Sequence, residues 1–520
     1  MNQLTQRARL KRLACWIGLP LFVLVAVGAT ILYLKWPFSK QSVADSIREV
    51  ISGDIRIQKF KSHYFPNPGC EAEGVLVLSP SGVSDPLVTV QRITIQARYA
   101  DLVLRPGFVA RIVLTGLQVH IPPRGSGHDG KSNSSSTSSK TRIGEIVANG
   151  SVLEVARQDD KPPLRFQIHS LTLKSVSRDT PFAYTVALTN ALPPGEITSA
   201  GHLGPWTGHP LGKTPVSGSY KFSQADLGVF PGVAGMLSSD DRFEGELDEI
   251  HLQGNIKIPD FEVKSSHHPV PLITHYDATV NATNGDVFLH RVDTSLLETW
   301  IVASGQVAGE KGQKGKTTRL NVEVREGRIQ DLLRLFVKSP LTPLNGTTNF
   351  LATVLVTPQG RPFLKEVDLR GDFGIESGHF TNPRTQSSVD DLSNRAHGAP
   401  ENKSQAADPE NVISDLRGHV HLRDGVANFA DIKFNVPWAL ARFNGSYNLL
   451  NGKIDFRGTL KTQAELSQTT TGVKSVLLKP LNDLFKRKHA GAEVPVEITG
   501  TYHNPHFGID LKPGLKEKQR

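Results

Sequence analysis

The stretch "GEKGQKGKTT", residues 309–318, is where residue types and spacing come nearest to recognisable chemistry in this 520-residue chain. Glycines ahead of Lys-Thr can cradle a phosphate, but that loop needs a glycine five residues before Gly315, where Glu310 stands; Gly309 is one residue too early. Strand-like sequence lies on both sides, whereas the anion of a phosphate loop sits on a helix N-terminus. The stretch is therefore expected to be a solvated hairpin. His419 and His421, in "GHVHLRDG", share one face of a strand and could begin a metal site. Val420 and Leu422 take the other face, so plain strand alternation accounts for the pair. "HHP" at 267 and "HNPH" at 503 have turn composition.

Hydrolytic signatures are missing too. There is no G-x-S-x-G elbow, and "SSSTSSK" has Thr137, not Ser, three residues before Lys140. The acid pairs Asp240-Asp241 and Asp390-Asp391 fall in turn-like sequence without a His partner and are expected to be solvated. Asn281 and Asn345 head glycosylation sequons, which matter only in a eukaryotic secretory pathway. No catalytic residue, metal ligand or cofactor is predicted, and the chain is not expected to be an enzyme.

The elements that would position any site begin with a charge asymmetry. The net charge is +9, but Arg7, Arg9, Lys11, Arg12, Lys35 and Lys40 all precede the first acidic residue, Asp45. The other basic and acidic residues, 53 and 50, nearly balance, which argues against a nucleic-acid surface. These cations flank "LACWIGLPLFVLVAVGATILYL", residues 13–34, an uncharged run long enough to span a bilayer. It is too long for a signal-peptide core, and no clear cleavage site follows. An uncleaved anchor is predicted, with Leu13, Trp16, Leu21, Phe22, Leu24, Ile31 and Leu34 among its apolar residues and Tyr33 and Trp36 at the interface. The excess of cations before it places residues 1–12 in the cytoplasm and residues 35–520 across the membrane. Cys15 and Cys70 then lie apart and cannot pair within one chain.

Beyond the anchor the pattern is that of strands. Abundant Gly (46) and Pro (33) with few helical windows favour a mainly β chain. "DIRIQKF" sets Ile55 and Ile57 against Arg56 and Gln58, and "VTVQRITIQAR" aligns Ile93, Ile95 and Ala97. Leu252, Ile256 and Ile258 alternate in the same way, as do Leu320, Val322 and Val324, and Val494, Val496 and Ile498. Successive antiparallel strands, apolar on one face, are expected. Helices are few: a short one from Asp45, one at "DLLRLFV" (331–337) and an amphipathic stretch at 472–488. In the last, Leu477, Leu481, Leu484 and Phe485 share a face flanked by Lys486, Arg487 and Lys488. It either lies in a membrane interface or caps the β core. Polar runs at 123–141 and 395–411 read as flexible excursions.

The order of features resembles the AsmA family. After the anchor, Gly53, Ile55, Ile57, Phe60, Phe65, Pro66, Pro68 and Gly69 match its opening segment. Near the end, Pro495, Val496, Ile498, Gly500, Thr501, Pro505, Phe507 and Asp510 match its closing one. The resemblance covers most of residues 8–511, with the two polar runs matching nothing.

It implies a bacterial inner-membrane, single-pass protein with its bulk in the periplasm, similar to chorein-type lipid bridges. Its expected fold is mainly β: an N-terminal transmembrane helix, then a long curled antiparallel sheet forming a β-groove, with few short helices. Residues 35–122 would be the N-terminal β segment, 142–394 the central groove and 412–511 the C-terminal segment, with 512–520 a tail. Ile93, Ile95, Leu320, Val322, Val324, Val494, Val496 and Ile498 would face the groove. Residues 472–488 would be a distal membrane contact. The implied partners are phospholipid, with its acyl chains in the groove, the inner membrane, and outer-membrane or envelope proteins. The function expected is phospholipid transport toward the outer membrane and outer-membrane biogenesis. The alternative is a scaffold for outer-membrane protein assembly that conducts no lipid.

Overall fold

The structure is a computed structural model. It describes residues 37–50, 54–78, 86–105, 107–121, 141–156, 162–206, 211–310, 315–358, 360–381, 414–436, 439–462, 493–501 and 504–508. The expected anchor at 13–34, both polar runs but for Thr141, and the amphipathic stretch 472–488 lie outside the described residues. No helix among those described is long and apolar enough to cross a membrane. The chain is mainly β and divides into two compact units, Met1–Arg178 and Asp179–Arg520.

The first unit opens with helix α1 (Lys40–Val50), whose start is capped by Ser39: its Oγ accepts the backbone N–H of Ser42 at 3.1 Å. Strands β1 (Asp54–His63), β2 (Gly69–Leu78), β3 (Pro86–Gln96) and β4 (Phe108–Ile121) form an antiparallel meander, with helix α2 (Tyr99–Leu104) between β3 and β4. β5 (Arg142–Val155) then pairs with β4 in parallel, and β6 (Leu164–Val176) with β5 antiparallel. The parallel pair departs from the expected run of antiparallel neighbours. A parallel connection needs a dozen residues or more, and residues 122–141 between the two strands supply that length. The Ser-rich run thus falls inside one unit.

Strict alternation also slips once in each of several strands, along one line crossing the sheet. Gly74, Gly116 and Gly150 stand on this line, all with φ near 62°. Ile57 and Phe60 therefore reach the same face three residues apart, opposite Val75 and Ala72. L-residues adopt this backbone at a cost of about 1–2 kcal/mol. Gly116→Ala and Gly150→Ala should each lower stability by about that amount in urea unfolding. A Cβ at 116 would also stand 2.4 Å from the Gln91 side chain, while one at 150 meets nothing within 4 Å, so the 116 variant should be the weaker of the two.

The second unit is a longer meander. It contains β7 (Phe182–Ala191), β8 (Pro194–Leu203), β9 (Pro215–Asp226), the two-residue β10 (Val233–Ala234), β11 (Met236–Glu246), β12 (Glu249–Val263) and β13 (Val270–Asn281). It continues through β14 (Asp286–Leu296), β15 (Thr299–Gly309), β16 (Lys316–Arg328), β17 (Leu344–Val356), β18 (Val367–Phe380) and β19 (Ser414–Arg423). It closes with β20 (Val426–Val436), β21 (Ala439–Asn448), β22 (Lys453–Thr462), β23 (Glu493–Thr501) and β24 (Asn504–Gly508). Apart from β10, which pairs with β12, each strand pairs antiparallel with the next. Helices α3 (Ile329–Arg334) and α4 (Phe363–Glu366) stand at opposite strand ends, α3 beside the start of β17 and α4 at the start of β18. The sheet is not strongly curled, unlike the curled one expected.

Candidate functional site: an apolar sheet face and a buried carboxylate

Register decides what each face carries. In the first unit Ile55, Val77, Val88, Val119, Leu153 and Phe166 are successive cross-strand partners, so one apolar row crosses all six strands. A second row joins Ala72, Ile93, Leu114, Ala148 and Leu171, and a third joins Cys70, Ile95, Ile112, Ile146 and Leu173. Near β1–β3 these rows are buried, with Ala44 and Ile47 of α1 packed on them. Phe38, Val43, Cys70 and Ala97 close one end, and burial pushes the Cys70 thiol up to about 12. Toward β5 and β6, Ile146, Leu153, Phe166, Leu171 and Leu173 are only half-buried.

The second unit repeats the arrangement. Val292, Ala303, Val322, Ala352, Gly371 and Val420 form one row, and Ile301, Val324, Phe350 and Phe373 its neighbour. Leu320 and Val322 are half-buried and Val324 is buried. Farther along, the face is aromatic: Phe429 meets Phe373 edge-on at 6.0 Å and Phe456 at 5.7 Å, and Phe434 stacks on Phe443. Val496 is buried and Ile498 half-buried in the closing hairpin, while Val494 lies across from Leu460 and its side chain is outside the described ones. The buried clusters draw on consecutive strands and the short helices; among the described residues none draws on a second sheet layer.

One place on this face is polar. Tyr220 of β9, Asp241 of β11, Gly254 of β12 and Tyr276 of β13 are successive partners in one row. Gly254 leaves the space that Asp241 fills, for a Cβ there would stand 1.4 Å from Oδ1 of Asp241. The two phenols reach across from either side and meet at 3.1 Å, although their strands are three spacings, about 14 Å, apart. Asp241 is 2% exposed, and neither carboxylate oxygen has a hydrogen bond of ordinary geometry. Burial, reinforced by the Asp241 carboxylate, pushes the Tyr220 phenol up to about 12. Tyr276 is raised as well, by burial and then by its bond to Tyr220. Both phenols therefore keep their protons. Ser199, the partner of Tyr220 on β8, joins the Tyr184 hydroxyl at 3.2 Å, and Thr274 joins Thr294 at 3.0 Å in the next row.

This site corrects the expectation that Asp240-Asp241 is a solvated turn. Both residues are in β11, and alternation sends Asp240 to solvent and Asp241 to the apolar face beside Ser239 and Phe243. The signal was present in the alternation of Ser239, Asp241 and Phe243 with Asp240, Arg242 and Glu244. Nothing local, however, announces the gap above Gly254 or the tyrosines of other strands.

The remaining motifs are structural. "GEKGQKGKTT" joins β15 to β16, which pair antiparallel from Gly309 and Lys316 onward. The Lys316 ammonium is held 2.9 Å from Asp286 Oδ1, which also accepts the Gly309 N–H. The bond from Lys316 holds the Asp286 carboxyl below its ordinary range. A carboxylate so depressed contributes stability above the ordinary value of 3.8, lost as pH falls through its own lower value. Asp286→Asn should thus cost under ~1 kcal/mol at pH 7 for a pair still open to water, a difference that closes in acid unfolding curves. The His419 ring donates to the Asp372 carboxylate, and His421 donates to Asp368 at 2.9 Å, both on the face opposite the apolar rows. His268 bonds the Ser339 carbonyl at 3.0 Å. Among the described residues no three His, Cys, Asp or Glu side chains gather as a metal site would require. Asp390 and Asp391 lie outside the described residues.

No family model matches this chain. No curated protein and no solved structure matches it either.

Proposed function

We propose that this chain is an AsmA-like, single-pass inner-membrane protein whose periplasmic sheets carry phospholipid between the inner and outer membranes. Residues 13–34 anchor it, and acyl chains lie along the apolar rows while headgroups stay in water. The observation that carries this reading is the one-sided apolar face of each unit, continuous from strand to strand within it and, among the described residues, covered by short helices only in part. Two packed sheets would hide such a face; a guest of hydrocarbon chains satisfies it equally, since burial of apolar area is non-directional. Transport of this kind is passive and uses no catalytic residue.

The full-length chain, purified in mild detergent and released for native mass spectrometry, should carry phospholipid in stoichiometric amounts. A chain that is consistently lipid-free, with intact binding of outer-membrane assembly partners, would favour the scaffold alternative and end the transport reading.

A further inference from the structure

Five apolar side chains stand exposed together at one end of the first unit. Phe65 is 88% exposed, Leu104 79% and Val103 70%, and Tyr64 and Tyr99 are exposed beside them. Single exposed apolar residues are ordinary on a protein surface; a cluster is not. This cluster is contiguous. The Tyr99 hydroxyl donates to the Tyr64 carbonyl, tying α2 to the β1–β2 turn. The Ala97 N–H bonds the Pro68 carbonyl at 2.8 Å, fixing the start of α2 to the far side of the same turn. Leu102 packs inward against the cluster of Phe38, Cys70 and Ala97, which leaves Val103 and Leu104 facing out.

The position of Phe38 says what this patch meets. Its carbonyl accepts the Ser62 hydroxyl at 3.2 Å, two residues before Tyr64, and its ring is buried in the cluster that Leu102 also touches. Leu34, the last residue of the uncharged run, is four residues earlier. Four residues reach at most about 14 Å. If the run spans a bilayer, the membrane surface therefore lies within that distance of Phe38, whose own contacts, Ser62 and Leu102, are in the two segments that carry the exposed cluster. Arg98 and Arg105 are exposed at either end of α2, against a half-buried Asp101, while Lys61 on β1 lies opposite Glu71; the excess of cations beside α2 suits anionic headgroups.

We propose that the Tyr64–Phe65 turn and the Val103–Leu104 end of α2 insert into the bilayer that holds the anchor, seating the first unit on the membrane as a second, interfacial contact. This rests on the anchor within the proposed function and does not depend on lipid occupying the sheets. Such seating would hold the first rungs of the apolar face at the membrane surface, where an acyl chain could enter them.

The test uses the full chain with Cys15→Ser, since Cys70 is buried and unreactive. An environment-sensitive fluorophore is attached to Phe65→Cys, to Leu104→Cys, or to Leu450→Cys, an exposed turn position of the second unit. Each is reconstituted in nanodiscs of phosphatidylcholine and phosphatidylglycerol. Labels at 65 and 104 should be quenched by spin-labelled acyl chains and protected several-fold from aqueous iodide, relative to the label at 450. Chains that co-elute with discs yet show iodide access at 65 and 104 equal to that at 450 would overturn the interfacial contact and leave the anchor standing. Protection from iodide without acyl-chain quenching would point to a protein occupant and overturn it as well. Failure to co-elute with discs would remove the anchor and the contact together.

Discussion

Val322→Asp should release lipid from the second unit by roughly 100-fold in affinity while leaving the fold almost as stable as before. Val322 is half-buried between Ala303 and Ala352, its partners on either side. With the face empty, a carboxylate there keeps much of its water, so little stability is lost. With hydrocarbon lying over it, that water must leave, and an unpaired charge taken out of water costs several kcal/mol. About 3 kcal/mol of that cost, felt only in the loaded state, gives the hundredfold loss. Asn321→Asp puts the same charge one residue away on the solvent side and should change nothing. Lipid retained per chain, measured by mass spectrometry alongside melting curves, separates the outcomes. Equal retention by both variants would refute an acyl-chain site on this face.

Asp241→Asn should raise stability, by about 1–3 kcal/mol, because it removes a buried carboxylate whose oxygens have no hydrogen bond of ordinary geometry, the two phenols beside it meeting each other instead. In a unit of this size that is a few degrees in melting temperature. The amide is nearly isosteric, so the gap over Gly254 stays filled and the Tyr220–Tyr276 contact stays in place. Asn also brings N–H donors that can reach a phenol oxygen. Urea unfolding of the purified variant checks the sign. A loss of more than 1 kcal/mol would mean that the Tyr220 and Tyr276 hydroxyls hold the carboxylate, and would overturn the prediction. A side chain that costs stability in the middle of an apolar face is a candidate for function, so the same variant should be assayed for lipid retention. Unchanged retention would assign the polar row a purely structural part.

Strand existence and the division into two faces were legible in the residues themselves. Side chains alternate across a strand every two residues, so Leu320, Val322 and Val324 could be assigned to one face without any partner. The hairpin at 309–318 followed from strand patterns on both sides, and the closing hairpin from "VPVEITGTYHNPHFGIDL", which forms β23 and β24. Three things needed the tertiary structure. The parallel β4–β5 pair depends on which edge the chain returns to after residue 121, and no local pattern encodes that choice. The burial of Asp241 depends on a register that brings Tyr220, Gly254 and Tyr276 into its row from three other strands. What covers the apolar face could not be read from alternation, because a strand facing a second sheet and a strand facing a lipid share one period. Periodicity is a property of the chain and is written locally; coverage is a relation between distant segments, and only their packing decides it.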